Sequence, residues 1–220
     1  MARPGLQKHP KFRRLVRMLN VPVPHALGYL ECLWEVTYDP KGEQAAVLER
    51  MRGFIDDMGA VLRESRGLVL YGPSGTGKDH LLAAALYRVA AAAIPVGWVS
   101  GAAIYERVRD SMDTGEREQR IISTWLAPTV LGLSDPVSPR GDLSDWDARI
   151  LARLLDARYR ALRPTWITIN AANETDASAK LTAMIWDRLR DDAEVIPCFW
   201  RSWRSIQTKP WASPVGATAH

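Results

Sequence analysis

Phe12, Leu15, Val16 and Leu19 recur at i, i+3, i+4 and i+7, so residues 10–19 read as an amphipathic helix. Pro22 and Pro24 break it. A second helical face carries Leu27, Leu30, Leu33 and Trp34, and Lys41-Gly42 offers a linker. A third helix is expected over 43–64, with Val47, Met51, Phe54, Ile55, Met58, Val61 and Leu62 as its apolar stripe. Beyond it the pattern changes to short apolar runs that alternate with helical periods. The expected strands are Leu68–Tyr71, Pro95–Ser100, Thr129–Leu133, Thr165–Ile169 and Glu194–Cys198. The helices between them are expected at 78–93, at 103–126 with a break near Gly115, at 145–162 and at 177–191. Ser144 with Asp147 three residues on marks a helix start. Alternation of this kind implies an α/β fold: a central parallel sheet of about five strands, covered on both faces and preceded by a small helical N-terminal region. No internal repeat is visible, and Trp211 to His220 read as a disordered tail.

Composition narrows this picture. At 220 residues, the chain has room for one α/β domain and a small appendage. Arg88 and Pro95 interrupt the Ala-rich run at 83–94, and no apolar stretch is long enough to span a bilayer. The basic, amphipathic first 20 residues do not form a signal peptide. Cys32 and Cys198 make neither a disulfide framework nor a metal-ligand spacing, and a cytoplasmic location is expected. Charge is uneven. Residues 1–30 hold Arg3, Lys8, Lys11, Arg13, Arg14 and Arg17 with no acid. Residues 199–220 hold Arg201, Arg204 and Lys209, again with no acid. The net charge of +4 therefore combines basic ends with an acidic body, which suggests a polyanion partner touched by the termini or else solvated tails.

The strongest chemical signal is Gly72-Pro73-Ser74-Gly75-Thr76-Gly77-Lys78, which fits G-x-x-x-x-G-K between an apolar strand and a helix. The glycines let backbone N–H groups converge on phosphate oxygens. The next helix points its positive end at the same place. Lys78 would reach the outer phosphates, so a nucleoside triphosphate, ATP above others, is the expected ligand with Mg²⁺. The residue after the lysine, normally a Ser or Thr that binds Mg²⁺ through its hydroxyl, is Asp79.

The string G-P-S-G-T-G-K-D-H-L-L resembles the phosphate loop of the bacterial helicase loaders and transposition helper ATPases, the DnaC/IstB branch of the AAA+ ATPases. His80-Leu81 matches the His-Leu pair of that branch, which adds His80 to the expected nucleotide contacts. Val99-Ser100 with Ile104, Thr129 to Asp135, Trp166 to Asn173, the helix Met184 to Leu189 and Ser202-Trp203-Arg204 follow in the family's order. The resemblance covers roughly residues 45–205, and it implies an ATP-binding domain at 43–205 between an N-terminal region, 1–40, and a tail, 206–220. Upstream, His9-Pro10-Lys11-Phe12 and Pro24 to Trp34 resemble the N-terminal segment of phage-type replication initiator domains.

Several site assignments follow from the resemblance. The third strand of such ATPases ends in Asp-Glu, where the Asp helps hold Mg²⁺ and the Glu polarises water. Here Ser134-Asp135-Pro136 stands instead. Without a gap, Ser134 replaces the metal ligand and Asp135 the base; shifted by one, Asp135 is the metal ligand and Pro136 replaces the base. Either hydroxyl and carboxylate have traded places between Asp79 and Ser134, with Asp79, Ser134 and Asp135 around the metal, or the site binds nucleotide with impaired hydrolysis. Asn170 and Asn173 follow the fourth strand, and Asn173 is the preferred γ-phosphate sensor. Arg188 is the candidate arginine for a neighbouring copy's nucleotide, implying a homo-oligomer; a surface pair with Asp187 or Asp191 is its alternative. Trp200 and Trp203, interleaved with Arg201 and Arg204, would stack on single-stranded bases or pack onto the sheet.

The resemblance implies an ATP-binding accessory factor in DNA replication, with single-stranded DNA and a replicative helicase as partners. A transposition helper ATPase, a small-molecule kinase and a non-hydrolysing nucleotide-binding adaptor remain as alternatives. A kinase would need a basic lid, for which 134–144 offers only Arg140. The basic N-terminus generates a test. Binding of labelled single-stranded DNA, followed by fluorescence anisotropy, should weaken with salt at a log–log slope of about −0.7 per contacted phosphate. Deletion of residues 1–20 should flatten that slope and leave ATP affinity unchanged. The same slope and affinity in both proteins would exclude these residues as the DNA contact.

Overall fold

The computed structural model describes residues 42–115, 118–137 and 141–202. The expected helices at 10–19 and around Leu27–Trp34, Arg140, Trp203, Arg204 and the tail lie outside the described residues.

The first apolar stripe forms two helices where one was expected, α1 (Ala45–Asp56) and α2 (Met58–Arg63). Asp57 separates them with a non-helical ψ of 28°. The stripe is nevertheless used as the pattern implies: Val47, Met51, Phe54 and Val61 are buried. The chain then runs through β1 (Gly67–Gly72), α3 (Lys78–Ala91), β2 (Val96–Ser100), α4 (Gly101–Thr114), α5 (Glu118–Leu126) and β3 (Val130–Ser134). It continues as α6 (Asp145–Arg160), β4 (Thr165–Asn170), α7 (Glu174–Leu181), α8 (Ala183–Arg190) and β5 (Ala193–Pro197). Ser144 starts α6 as its spacing predicts, its Oγ accepting the Asp147 N–H at 3.1 Å. Gly115, at φ 69°, ends α4. The segment expected as one helix over 177–191 is again two. Thr182 interrupts it at φ 72°, a backbone state disfavoured for a β-branched residue.

All five strands are parallel, in the order β2-β3-β4-β1-β5. Their near-continuous apolar character reflects burial on both faces. Alternate residues serve opposite layers. Leu68 and Leu70 of β1 and Trp166 of β4 pack with α1, α2 and α3. Val69, Tyr71, Ile167 and Ile169 pack with α4 to α8. The register brings the carboxyl ends together: Gly72 lies opposite Asn170, Ser134 opposite Thr168, and Ser100 opposite Ser134. Ligands of open parallel sheets bind outside this edge.

At the opposite edge, the fully buried Arg158 of α6 acts as a clasp. Its guanidinium donates to the carbonyls of Trp125 (2.7 Å), Pro128 (3.2 Å), Thr129 (3.1 Å) and Pro164 (2.8 Å), and to Thr165 Oγ1 (3.0 Å). These acceptors lie in the last turn of α5 and on the entries to β3 and β4. The planar fork of arginine can serve them at once, whereas a lysine ammonium has three donors at one point. Arg158→Met should cost about 3 kcal/mol or more and lower Tm by roughly 6–12 °C. Nucleotide affinity of the folded fraction should be unchanged. A Tm shift under 2 °C or so would contradict the clasp.

Candidate nucleotide site

The loop between β1 and α3 is built by close approach and by backbone states that favour glycine. A Cβ on Gly72 would lie 2.3 Å from the Cys198 carbonyl oxygen, because the chain leaving β5 runs against it. Gly77, immediately before α3, has φ 92°. The Thr76 hydroxyl donates to the Pro73 carbonyl at 3.1 Å, and the Trp200 indole N–H donates to the Thr76 carbonyl at 2.8 Å. Trp200 is buried against the loop, which favours packing over base stacking for this residue. Pro73 and Ser74 are exposed at the tip, and Gly75 is left-handed at φ 85°. His80 lies in the first turn of α3, its N–H donating to the Gly77 carbonyl at 2.8 Å.

The Lys78 ammonium folds back over this loop. It donates to the carbonyls of Gly72 (2.8 Å) and Pro73 (2.7 Å) and to Asn170 Oδ1 (2.9 Å). The side chain is buried, so its charge requires such acceptors. A phosphate group at the loop would offer stronger, charged acceptors in their place.

Asp79 and Ser134, the pair that would have exchanged carboxylate and hydroxyl in one of the two readings of the sequence, are in contact. Ser134 Oγ donates to Asp79 Oδ2 at 3.0 Å, and Thr168 Oγ1 donates to Asp79 Oδ1 at 2.6 Å. Asp135 follows β3 in a left-handed conformation, φ 41°. Its N–H reaches the carbonyl and the hydroxyl of Thr168, at 3.1 and 3.2 Å. Its Oδ2 accepts from Asn170 Nδ2, while its Oδ1 is buried and has no hydrogen-bond partner among the described residues. Burial, followed by the negative charge of Asp79, holds the Asp135 carboxyl above its usual range; Asn170 and Lys78 act the other way. Pro136 turns away to α4: its carbonyl accepts from the Tyr105 hydroxyl at 2.9 Å, and its Cα would lie 2.2 Å from a Cβ on Gly101.

These residues suit a magnesium nucleotide. Two carboxylates and a hydroxyl make an all-oxygen donor set, which Mg²⁺ completes with waters and phosphate oxygens. The buried, unpartnered Asp135 oxygen needs a donor or a cation.

The two asparagines separate in role. Asn170 touches both Lys78 and Asp135, whereas Asn173 caps α7, its Oδ1 accepting the Asp176 N–H at 2.8 Å. The preferred sensor candidate from sequence is thus engaged in starting a helix, and the strand-end amide three residues earlier is the one at the lysine. Arg188 pairs with neither expected neighbour. It meets Asp156 of α6 and stacks on the Tyr159 ring at 5.4 Å, while Asp187 pairs with Arg190. Two contributors were missed in the sequence. Thr168 is a buried polar residue inside an apolar strand, a visible signal. Lys180, whose Nζ reaches the Asn170 carbonyl at 3.1 Å, carries no such mark.

The profile of the family described as IstB-like ATP binding protein matches residues 10–210. No curated protein matches the chain. Among solved structures, the DnaC helicase loader is 26% identical at a TM-score of 0.64, over 74% of this chain and 94% of that one. DnaI is 18% identical at 0.61, over 84% of this chain and 94% of that one. AMPPCP-bound DnaA from Aquifex aeolicus is 14% identical at 0.58, over 71% of this chain and 47% of that one. The last two share the fold. Among the described residues, no helix is long and apolar enough to cross a membrane.

Asp135 offers a test in the protein without nucleotide. A carboxyl that ionises less readily when folded binds more protons in the folded state, so its favourable contribution is present at acid pH and is lost as pH rises through its folded pKa. Asp135→Asn removes that loss and suits a left-handed backbone. Its Tm should exceed wild type at pH 7–8, and the gain should shrink toward pH 4. A variant less stable than wild type at neutral pH would refute this account.

Proposed function

Because the chain belongs to the IstB-like ATP-binding family, we propose that it is an ATP-dependent accessory factor of DNA replication, acting as a nucleotide-operated assembly switch in the manner of a helicase loader. The observation that carries the proposal is the linkage of Lys78, Asn170 and Asp135, which joins the phosphate loop to the ends of β4 and β3. Lys78 exchanges its contact with Asn170 for phosphate oxygens. Asn170, rather than Asn173, is then released to orient the γ-phosphate or the attacking water. Identity of 26% with the DnaC helicase loader, over nearly all of that chain, supports the replication role.

Asp79, Ser134 and Asp135 would hold Mg²⁺, which when bound supplies positive charge to the phosphate oxygens. Asp135 is the shortened base. It is one methylene shorter than glutamate, and a misplaced base costs on the order of 10²-fold in rate. Slow turnover would keep the ATP-bound state long-lived. The basic ends would contact single-stranded DNA or a helicase. Arg188 would have to leave Asp156 to reach a neighbouring copy's γ-phosphate. A non-hydrolysing adaptor is a second reading, favoured by Pro136, which contributes no carboxylate and packs against α4.

Lys78→Ala should lower ATP affinity by roughly 10–100-fold, the value of one or two charge-assisted hydrogen bonds. Calorimetry giving equal affinity would refute the nucleotide site. Phosphate release separates the two readings: slow turnover stimulated by single-stranded DNA supports the loader, and ATP binding with no turnover supports the adaptor.

A further inference from the structure

Thr168 occupies a central strand of the sheet, with β3 on one side and β1 on the other. Its neighbours Trp166, Ile167 and Ile169 are buried and apolar, and Thr168 itself is only 1% exposed. A valine would fill the same volume and suit the strand as well. A buried hydroxyl is costly unless its hydrogen bonds are made. Here the single hydroxyl proton goes to Asp79 Oδ1 at 2.6 Å, and a lone pair receives the Asp135 N–H at 3.2 Å. The Thr168 carbonyl receives that same N–H at 3.1 Å. Asp135 is left-handed, a state that persists where surrounding contacts determine it. One residue therefore bonds the Asp79 carboxylate directly and, through the Asp135 N–H, fixes the backbone from which the second carboxylate leaves. Asp79 arrives on the first turn of α3, and Asp135 leaves the end of β3. Ser134, in register with Thr168, gives the second hydroxyl to Asp79.

We infer that Thr168 is a positioning residue that sets the separation and aim of the Asp79 and Asp135 carboxylates, and so confers the magnesium-dependent part of nucleotide affinity. The inference rests on the magnesium-nucleotide role proposed above. Thr168 does not touch the phosphates; it acts through the carboxylates, as hydrogen-bond partners of metal ligands do when they contribute 10–100-fold to metal affinity, by the usual order of magnitude. Loss of its hydroxyl leaves the glycine loop and Lys78 in place. The part of the affinity measured without metal is then retained.

The test measures binding of a non-hydrolysable ATP analogue by calorimetry, in Mg²⁺ and in EDTA, for wild type, Thr168→Val and Thr168→Ser. The readout is the ratio of the two affinities. In Thr168→Val the ratio should fall about 10-fold or more, with affinity in EDTA and the circular-dichroism spectrum unchanged. Thr168→Ser, which keeps the hydroxyl, should retain the wild-type ratio. If the valine variant does not fold, Thr168→Cys, with its weak S–H donor, is judged by the same ratio. A ratio unchanged in the variant overturns the inference. Equal losses in Mg²⁺ and EDTA also overturn it, because Thr168 would then act on the loop. Wild-type binding that is indifferent to Mg²⁺ overturns it while leaving nucleotide binding intact. No wild-type binding in either condition overturns the nucleotide site and this inference with it.

Discussion

The Asp79 carboxylate accepts one hydroxyl from the end of β3 and one from β4, and through them the first turn of α3 becomes part of the strand ends. The carboxylate side of the site depends on this attachment. Beside it, Lys78 is held at the mouth of the loop by contacts of its own, to the Gly72 carbonyl and to Asn170. Asp135 is held on the same threonine from the other side. The arrangement converts four separate strand and helix ends into one polar unit, in a place where each unpartnered group would cost free energy.

That unit is incomplete at one atom. Asp135 has a raised pKa, a left-handed backbone and a buried oxygen with no partner among the described residues. Each is unfavourable in the protein alone, and a cation or a hydrogen-bond donor at the carboxylate would relieve the first and the last. Local strain of this kind belongs to binding sites, where stability is given up for a ligand-dependent gain. The Arg158 clasp secures the opposite edge of the same strands, so the strained edge is supported by a rigid one.

All five strands and the phosphate loop were legible as patterns, because both depend on local information: runs of apolar residues bounded by breakers, and glycines at fixed spacing. The features that the pattern left open are non-local. Nothing in the spacing of 43–64 or 177–191 marks Asp57 or Thr182 as interruptions, since the apolar stripe continues through both. Asn170 and Asn173 are equally polar residues in one turn. Only the position of Lys78, 92 residues from Asn170 in sequence, distinguishes them. For Arg188, the alternative to a neighbouring copy's nucleotide was a pair with Asp187 or Asp191, and the acid it meets comes instead from α6, 32 residues away.

The alternating α/β order and the phosphate loop were thus fixed by sequence alone. Each is written in residue type and spacing along one stretch of chain. Tertiary structure alone decided that Asp79 and Ser134 touch, that Thr168 joins them to Asp135, and that Asn170 takes the place beside the lysine. The reason is the crossover topology. Parallel strands far apart in sequence are brought into register at one edge, and which side chains meet there is a property of strand order, β2-β3-β4-β1-β5, that no local pattern encodes.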